Sequence, residues 1–194
     1  MDDSEPFAVS SCTRCAALVE SRSRIVNGSG PATADVLLVG EGPGQTEDAE
    51  GEPFVGRSGA ILDEALERVG LARSAIRITN CVRCRPPDNR DPTRGELEAC
   101  RDHLEAEIDA VDPAVVVTLG KVPSEHLLER EVAVTAAAGS LESIIVNGSE
   151  RPVVVSVHPA ASLYNGGDTA PLERALGRAV DLSGSGGQTT LEDL

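Results

Sequence analysis

Two groups of residues in this chain have the chemistry to build a site. The first is a set of five cysteines, Cys12, Cys15, Cys81, Cys84 and Cys100. Cys12 and Cys15, and again Cys81 and Cys84, stand at the Cys-x-x-Cys spacing that presents two thiolates to one metal centre. Two quartets can be drawn, Cys12, Cys15, Cys81 and Cys84, or Cys12, Cys15, Cys84 and Cys100. Four thiolates suit either zinc or an iron–sulfur cluster. Spacing does not choose between them, and zinc is the default. The second group stands at the ends of apolar runs: Gly40-Glu41-Gly42-Pro43-Gly44, Thr79-Asn80 and Val157-His158-Pro159. Taken singly, each reads as a tight turn or a local cap. Together they offer a carboxyl, an amide and an imidazole at the carboxyl ends of strands, where open parallel sheets bind ligands. The three segments are expected to converge on one site.

The elements that would carry them follow from periodicity. Val36-Leu37-Leu38-Val39 and Val115-Val116-Val117-Thr118-Leu119 are continuous apolar runs, the pattern of strands buried on both faces. Shorter strands are expected at Ile76 to Thr79, Ser143 to Val146 and Val153 to Val157. Helical spacing covers residues 58 to 69, with Gly70 as a stop. Thr93 and Glu96 form a capping box that opens a helix to about Val111. Further helices are expected near Ser124 to Arg130 and from Pro171 to Val180, while Glu41 to Gly56 reads as a loop. Strands alternating with helices imply an α/β fold, a three-layer α/β/α sandwich around a mainly parallel sheet. Residues 1–182 read as one domain and 183–194 as a flexible tail that opens with Ser-Gly-Ser-Gly-Gly.

Composition narrows the class. The 194 residues are 40% hydrophobic and 25% charged, ordinary for a globular protein. No apolar run approaches the roughly 20 residues of a membrane span. The acidic start, Met1-Asp2-Asp3-Ser4-Glu5-Pro6, lacks the regions of a signal peptide. A cytoplasmic protein with reduced thiols is expected, and the two Asn-Gly-Ser sequons read as turns. Thirty-two acidic residues stand against 17 basic ones, of which only Lys121 is a lysine. At about 1 M salt the Debye length is roughly 3 Å, which screens the self-repulsion of a net charge of −15. The balance fits a halophile's protein. It argues against bulk polyanion binding, although only the charge at the contact surface decides that.

Three stretches resemble one known family. Gly40 to Gly44, then Glu47-Asp48, then Gly51-Glu52-Pro53-Phe54-Val55-Gly56-Arg57-Ser58-Gly59 is similar to the first motif of the family 4 uracil-DNA glycosylases. Thr79 to Pro87 with Asn89-Arg90-Asp91-Pro92-Thr93 resembles the second, and His158-Pro159-Ala160 the last. The resemblance runs from about Cys12 to Val180 and implies that fold. It also implies a 4Fe-4S cluster on Cys12, Cys15, Cys84 and Cys100, which frees Cys81 and reverses the zinc default. In the family the cluster is structural and ties the N-terminal segment to the loop after the second strand.

The implied activity is hydrolysis of the N-glycosidic bond of uracil in DNA, leaving an abasic site. The base must leave the stack and enter a pocket that reads its edge and stacks on its face. Asn80 suits the edge, because one amide accepts from uracil N3–H and donates to O4. Cytosine presents the reverse pattern and would mispair a buried amide at about 1–3 kcal/mol. Phe54, one of only two phenylalanines, is the stacking face. His158 donates to the negative charge that develops on O2. Glu41 is the candidate to position the water; the acid that does so in better-known uracil glycosylases falls here on Gly42, an absence that family 4 shares, so the resemblance implies that leaving-group stabilisation dominates. Gln45 and Glu47 are candidates for crowding out the thymine methyl.

DNA contact is assigned to Arg57, Arg83, Arg85 and Arg90, with Arg94 beside them, and to Leu163 or Tyr164 as the wedge. These last stand where the family carries leucines before an arginine. The enzyme is expected to work as a monomer on single- or double-stranded DNA. In the tail, Gln188, Leu191 and Leu194 resemble the start of a sliding-clamp-binding peptide, one helical turn with two leucines on one face. Two other functions compete: a non-catalytic zinc-binding nucleic-acid-binding protein, and a glycosylase for other deaminated bases such as hypoxanthine.

Overall fold

The structure is a computed structural model, and it describes residues 5–164 and 166–184. Five strands form one sheet in the order β2-β1-β3-β5-β4. They are β1 (Val36–Gly40), β2 (Arg77–Asn80), β3 (Val115–Leu119), β4 (Leu141–Val146) and β5 (Ser149–Ser156). All neighbouring pairs are parallel except the β4–β5 hairpin, which turns at Asn147-Gly148, both with positive φ. Asn-Gly is the dipeptide such a two-residue turn favours.

The unbroken apolar runs of β1 and β3 are explained by helices on both faces. Val36 and Leu38, together with Val115 and Val117, pack against α3 (Arg57–Arg68) and α7 (Ala170–Ser183). The alternate residues Leu37, Val39 and Val116 pack against α4 (Arg94–Val111) and α5 (Lys121–Leu128) on the other side. This is the three-layer α/β/α sandwich, and it follows from the period-2 alternation of side chains along a strand. The capping box at Thr93 forms, with the Glu96 carboxylate returning to the Thr93 amide at 2.7 Å.

Among the described residues, three short helices escape the periodicity: α1 (Ala16–Ser21), α2 (Gln45–Glu50) and α6 (Val134–Ala137). None is long enough to display an apolar stripe. The expected loop from Glu41 to Gly56 therefore contains α2. Ser183 belongs to α7 and not to the tail, and Gly184 ends that helix in the left-handed conformation. The expected clamp-binding residues Gln188, Leu191 and Leu194 lie outside the described residues. Among the described residues, no helix is long and apolar enough to cross a membrane.

A buried ion network fastens the outer end of the sheet. The Glu107 carboxylate, on α4 and fully buried, accepts from Arg77 Nε and, at 2.6 Å, from Arg83 Nη2. Arg77 also binds Glu5 and lies over the Phe7 ring, 4.6 Å from its centroid. The N-terminal segment is thus tied to β2 and α4 by charge.

Candidate active site

The carboxyl ends of β1, β2 and β5 open into one cavity of about 230 Å³. That is below the roughly 300–1,000 Å³ of drug-sized ligand sites and suits a single base. Glu41, Gly42, Glu47, Phe54, Asn80 and His158 line it, with Pro43, Ser58, Pro86, Asn89 and Arg90. The sheet order explains the meeting. β1 lies between β2 and β3: the chain passes from β1 to β2 on one side and then crosses back over β1 to β3 on the other, and this reversal opens a crevice beyond the end of β1.

Asn80 ends β2 opposite Gly40 in register and is 2% exposed. Its Oδ1 is buried and has no hydrogen-bond partner among the described residues. An unsatisfied buried acceptor costs about 1–3 kcal/mol, so it persists where a ligand supplies the donor. Gly40 makes room for this arrangement. A Cβ there would stand 2.4 Å from Asn80 Oδ1 and 2.5 Å from Phe54 Cε2. Phe54 itself is buried with φ +54, a left-handed conformation that costs on the order of 1 kcal/mol for an aromatic residue. It brings the ring 6.0 Å from the His158 ring, centroid to centroid, at an interplanar angle of 34°.

His158 follows β5 and reaches the cavity across the end of β3. There Gly120 has φ +112, and a Cβ would lie 3.1 Å from the histidine Cβ. The Ala160 amide donates to His158 Nδ1 at 3.1 Å. Nδ1 is therefore unprotonated, and in the neutral ring the proton sits on Nε2. Burial lowers the imidazole pKa against the opposing pull of Glu47, which favours that neutral form. The group is a neutral N–H donor. Glu41 goes the other way: burial, reinforced by the Asp91 charge, pushes its carboxyl up to about 7.

Glu47 lines the cavity, but its carboxylate is engaged by the loop. It accepts from the Gly44 amide at 3.1 Å and the Gly56 amide at 2.9 Å, clamping the two glycine turns together. Gln45 is exposed in the first turn of α2 and does not line the cavity. Sequence reasoning missed this clamp, because a Gly N-cap followed three residues later by Glu carries the signal only when the helix between them is recognised.

The arginines divide. Arg83 is 2% exposed and donates to Glu107, to Asn27 Oδ1 and to the His103 carbonyl, so it cannot reach a phosphate. The expectation of a DNA contact there is corrected: Arg83 belongs to the buried ion network. Arg90 lines the cavity, but Glu96 holds both of its terminal nitrogens, at 2.8 and 2.7 Å. Arg94 pairs with Glu98 on the same helix. Arg85 donates to Asn89, and Arg57 is exposed with no ion pair or hydrogen bond among the described residues. Leu163 and Tyr164 lie in and just after the 3₁₀ turn Pro159–Leu163 that follows His158, 46% and 87% exposed.

A second, smaller cavity is ringed by Cys12, Cys15, Cys84 and Cys100, with Arg22 and Arg83 at its wall. Leu18 and Val82 pack with Cys84 and Cys100. Among the described residues, no histidine or carboxylate lines it. Burial pushes the thiols of Cys15, Cys84 and Cys100 up, and Arg22 opposes this at Cys84 by donating to Sγ at 2.9 Å. Cys81 is fully buried against the sheet with Leu104 and Ile108. Among the described residues, no three His, Cys, Asp or Glu side chains are drawn together tightly enough for a single ion.

The model of the uracil DNA glycosylase superfamily matches residues 27–177. The chain is 39% identical over 164 residues to a type-4 uracil-DNA glycosylase of Sulfurisphaera tokodaii, covering 81% of this chain and 73% of that one. It is 39% identical to the type-4 enzyme of Archaeoglobus fulgidus over 80% of each chain. Identity to a type-5 uracil-DNA glycosylase of Pyrobaculum aerophilum is 31%, over 80% of this chain and 81% of that one.

Proposed function

Because the chain belongs to the uracil DNA glycosylase superfamily, we propose a mechanism in which its cavity takes a uracil flipped out of DNA and its residues release that base. The protein is a DNA repair glycosylase, a hydrolase of the uracil N-glycosidic bond. The observation that carries the residue assignments is the unpartnered, buried Oδ1 of Asn80 beside Phe54 and His158.

Uracil N3–H donates to Asn80 Oδ1 while the amide nitrogen donates to O4. Cytosine has no hydrogen on N3 and leaves Oδ1 unsatisfied. Phe54 stacks on the base. As the bond between the sugar C1′ and N1 breaks, its electron pair moves onto the uracil ring and gathers at O2. The Nε2–H of His158 stabilises that charge. A neutral donor is suited to this, because it needs no proton to be taken up first. Glu41 orients the water that attacks C1′, and its carboxylate accepts a proton from it. Arg57 and Arg85 contact phosphates, and Leu163 or Tyr164 fills the gap left by the base. Glu47 acts on the thymine methyl only indirectly, by fixing the loop.

Cys12, Cys15, Cys84 and Cys100 are read as the ligands of a 4Fe-4S cluster. The donor set fits: four soft sulfurs and two guanidinium groups around one cavity balance the charge of thiolates. Bound there, the cluster crosslinks the N-terminal segment to the loop after β2 and to α4. The enzyme is read as a cytoplasmic monomer working at high salt. The peptide from 184 to 194, titrated against the sliding clamp of the same organism, tests the tail: saturable binding lost with Gln188→Ala and Leu191→Ala supports clamp docking.

The decisive experiment incubates the protein with uracil-containing oligonucleotides in high salt and cleaves abasic sites with alkali. Strand scission at uracil, and none at cytosine, thymine or hypoxanthine, is expected. Scission at hypoxanthine alone would favour the rival substrate.

A further inference from the structure

The base cavity and the four-cysteine cavity share no lining residue, yet an unbroken run of contacts joins them. At one end, Arg22 donates to Cys84 Sγ at 2.9 Å and to the Cys12 carbonyl at 2.8 Å. The next residue, Ser23, donates its backbone amide to both carboxylate oxygens of Asp48, each at 2.9 Å, and the Arg24 amide donates to Oδ1 at 3.3 Å. Asp48 sits on α2, directly after Glu47. The Glu47 carboxylate clamps the amides of Gly44 and Gly56, on the loop that shapes the base cavity.

Asp48 is 3% exposed. A carboxylate so buried normally faces a cation or caps its own helix. This one satisfies its oxygens with amides that lie about two dozen residues away in sequence, between the cysteine segment and β1. It is therefore satisfied only while that segment is held in place.

We propose that Asp48 is a positioning residue that couples occupancy of the four-cysteine site to the shape of the base pocket. The proposal rests on the reading of those cysteines as cluster ligands. With the cysteines joined, Arg22 and Ser23 are fixed, Asp48 keeps its donors and α2 holds Glu47 against the glycine turns. With the site empty, the segment is released and a buried carboxylate loses its partners, which only movement of α2 into water relieves. Coupling of this kind is reciprocal in affinity: a base seated in the pocket tightens the hold on the cluster, and because the cluster leaves only through release of that segment, its loss slows.

The test follows the iron–sulfur absorbance of the full-length, iron-loaded protein under an iron chelator, with and without free uracil. Uracil is supplied at concentrations that equilibrium dialysis shows to saturate each variant. In the wild type, uracil should slow decay by about fivefold or more. Asp48→Asn, whose Nδ2 faces donors, should decay faster and lose the protection. Glu47→Gln, which breaks the run on the pocket side, should lose the protection while decaying at the wild-type rate without uracil. Iron-loaded wild type whose decay ignores uracil would overturn the coupling and leave the cluster reading standing. An iron-free, colourless wild type would overturn that reading and the proposal with it. Full protection in Asp48→Asn would remove Asp48 from the coupling.

Discussion

If Glu41 must be ionised to orient the attacking water, its pKa of about 7 makes excision pH-dependent across neutrality. At about pH 6 roughly a tenth of the molecules carry the carboxylate, and at about pH 8 roughly nine-tenths, so the single-turnover rate should rise about tenfold between them. Burial lowers the His158 pKa, which favours its neutral donor form over the same range. Glu41→Gln should flatten the profile at a level at or below the acid end of the wild type. Asp91→Asn should move the rise to lower pH, because the Asp91 charge is the second cause of the shift after burial. Stability runs the other way. A carboxyl whose folded pKa is raised favours folding below its unfolded pKa of 4.5, and that contribution is lost as pH climbs through about 7. Glu41→Gln should therefore be as stable as wild type near pH 4, below the unfolded pKa. Near pH 8 it should be more stable by on the order of 1–2 kcal/mol, allowing for the pocket's opening to solvent. Single-turnover assays on uracil-containing oligonucleotides and thermal melts across the same buffers measure both. A wild-type rate that is flat from about pH 6 to 8, or a variant that keeps the rise, would refute the role given to Glu41.

Other expectations concern separate parts of the molecule. His158→Ala should slow excision at least about tenfold, roughly 1.4 kcal/mol of transition-state stabilisation, with melting temperature and iron content unchanged; equal rates would remove it from the mechanism. Cys100→Ala should lose iron by elemental analysis, whereas Cys81→Ala, buried against the sheet, should keep it; the reverse would restore the alternative quartet. Glu107→Gln leaves two buried guanidinium groups sharing a neutral acceptor and should cost about 3–5 kcal/mol, lowering the melting temperature by roughly 10 °C. A melt within a degree or two of wild type would show the network to be dispensable. Raising KCl from about 0.1 to 2 M should raise the melting temperature, as expected for a chain of net charge −15, and no change would count against a high-salt protein.

The sequence by itself determined the layers and the place of the site. The apolar runs at Val36 to Val39 and Val115 to Leu119 demanded helices on both faces. The residues that end β1 and β2 or follow β5 carried the amide, carboxyl and imidazole that the structure brings to one cavity. Such signals are local, because a strand's burial is written in consecutive side chains. Only the tertiary structure decided which charges are free. Arg83 and Arg57 look alike in sequence, yet one lies beneath α4 against Glu107 and the other stands in solvent, because pairing depends on residues dozens of positions away. The short α2 was likewise invisible, as six residues display no periodic stripe. The pKa values of Glu41 and His158 were not legible at all. Burial sets them, and burial belongs to the assembled sheet ends and not to any one segment of the chain.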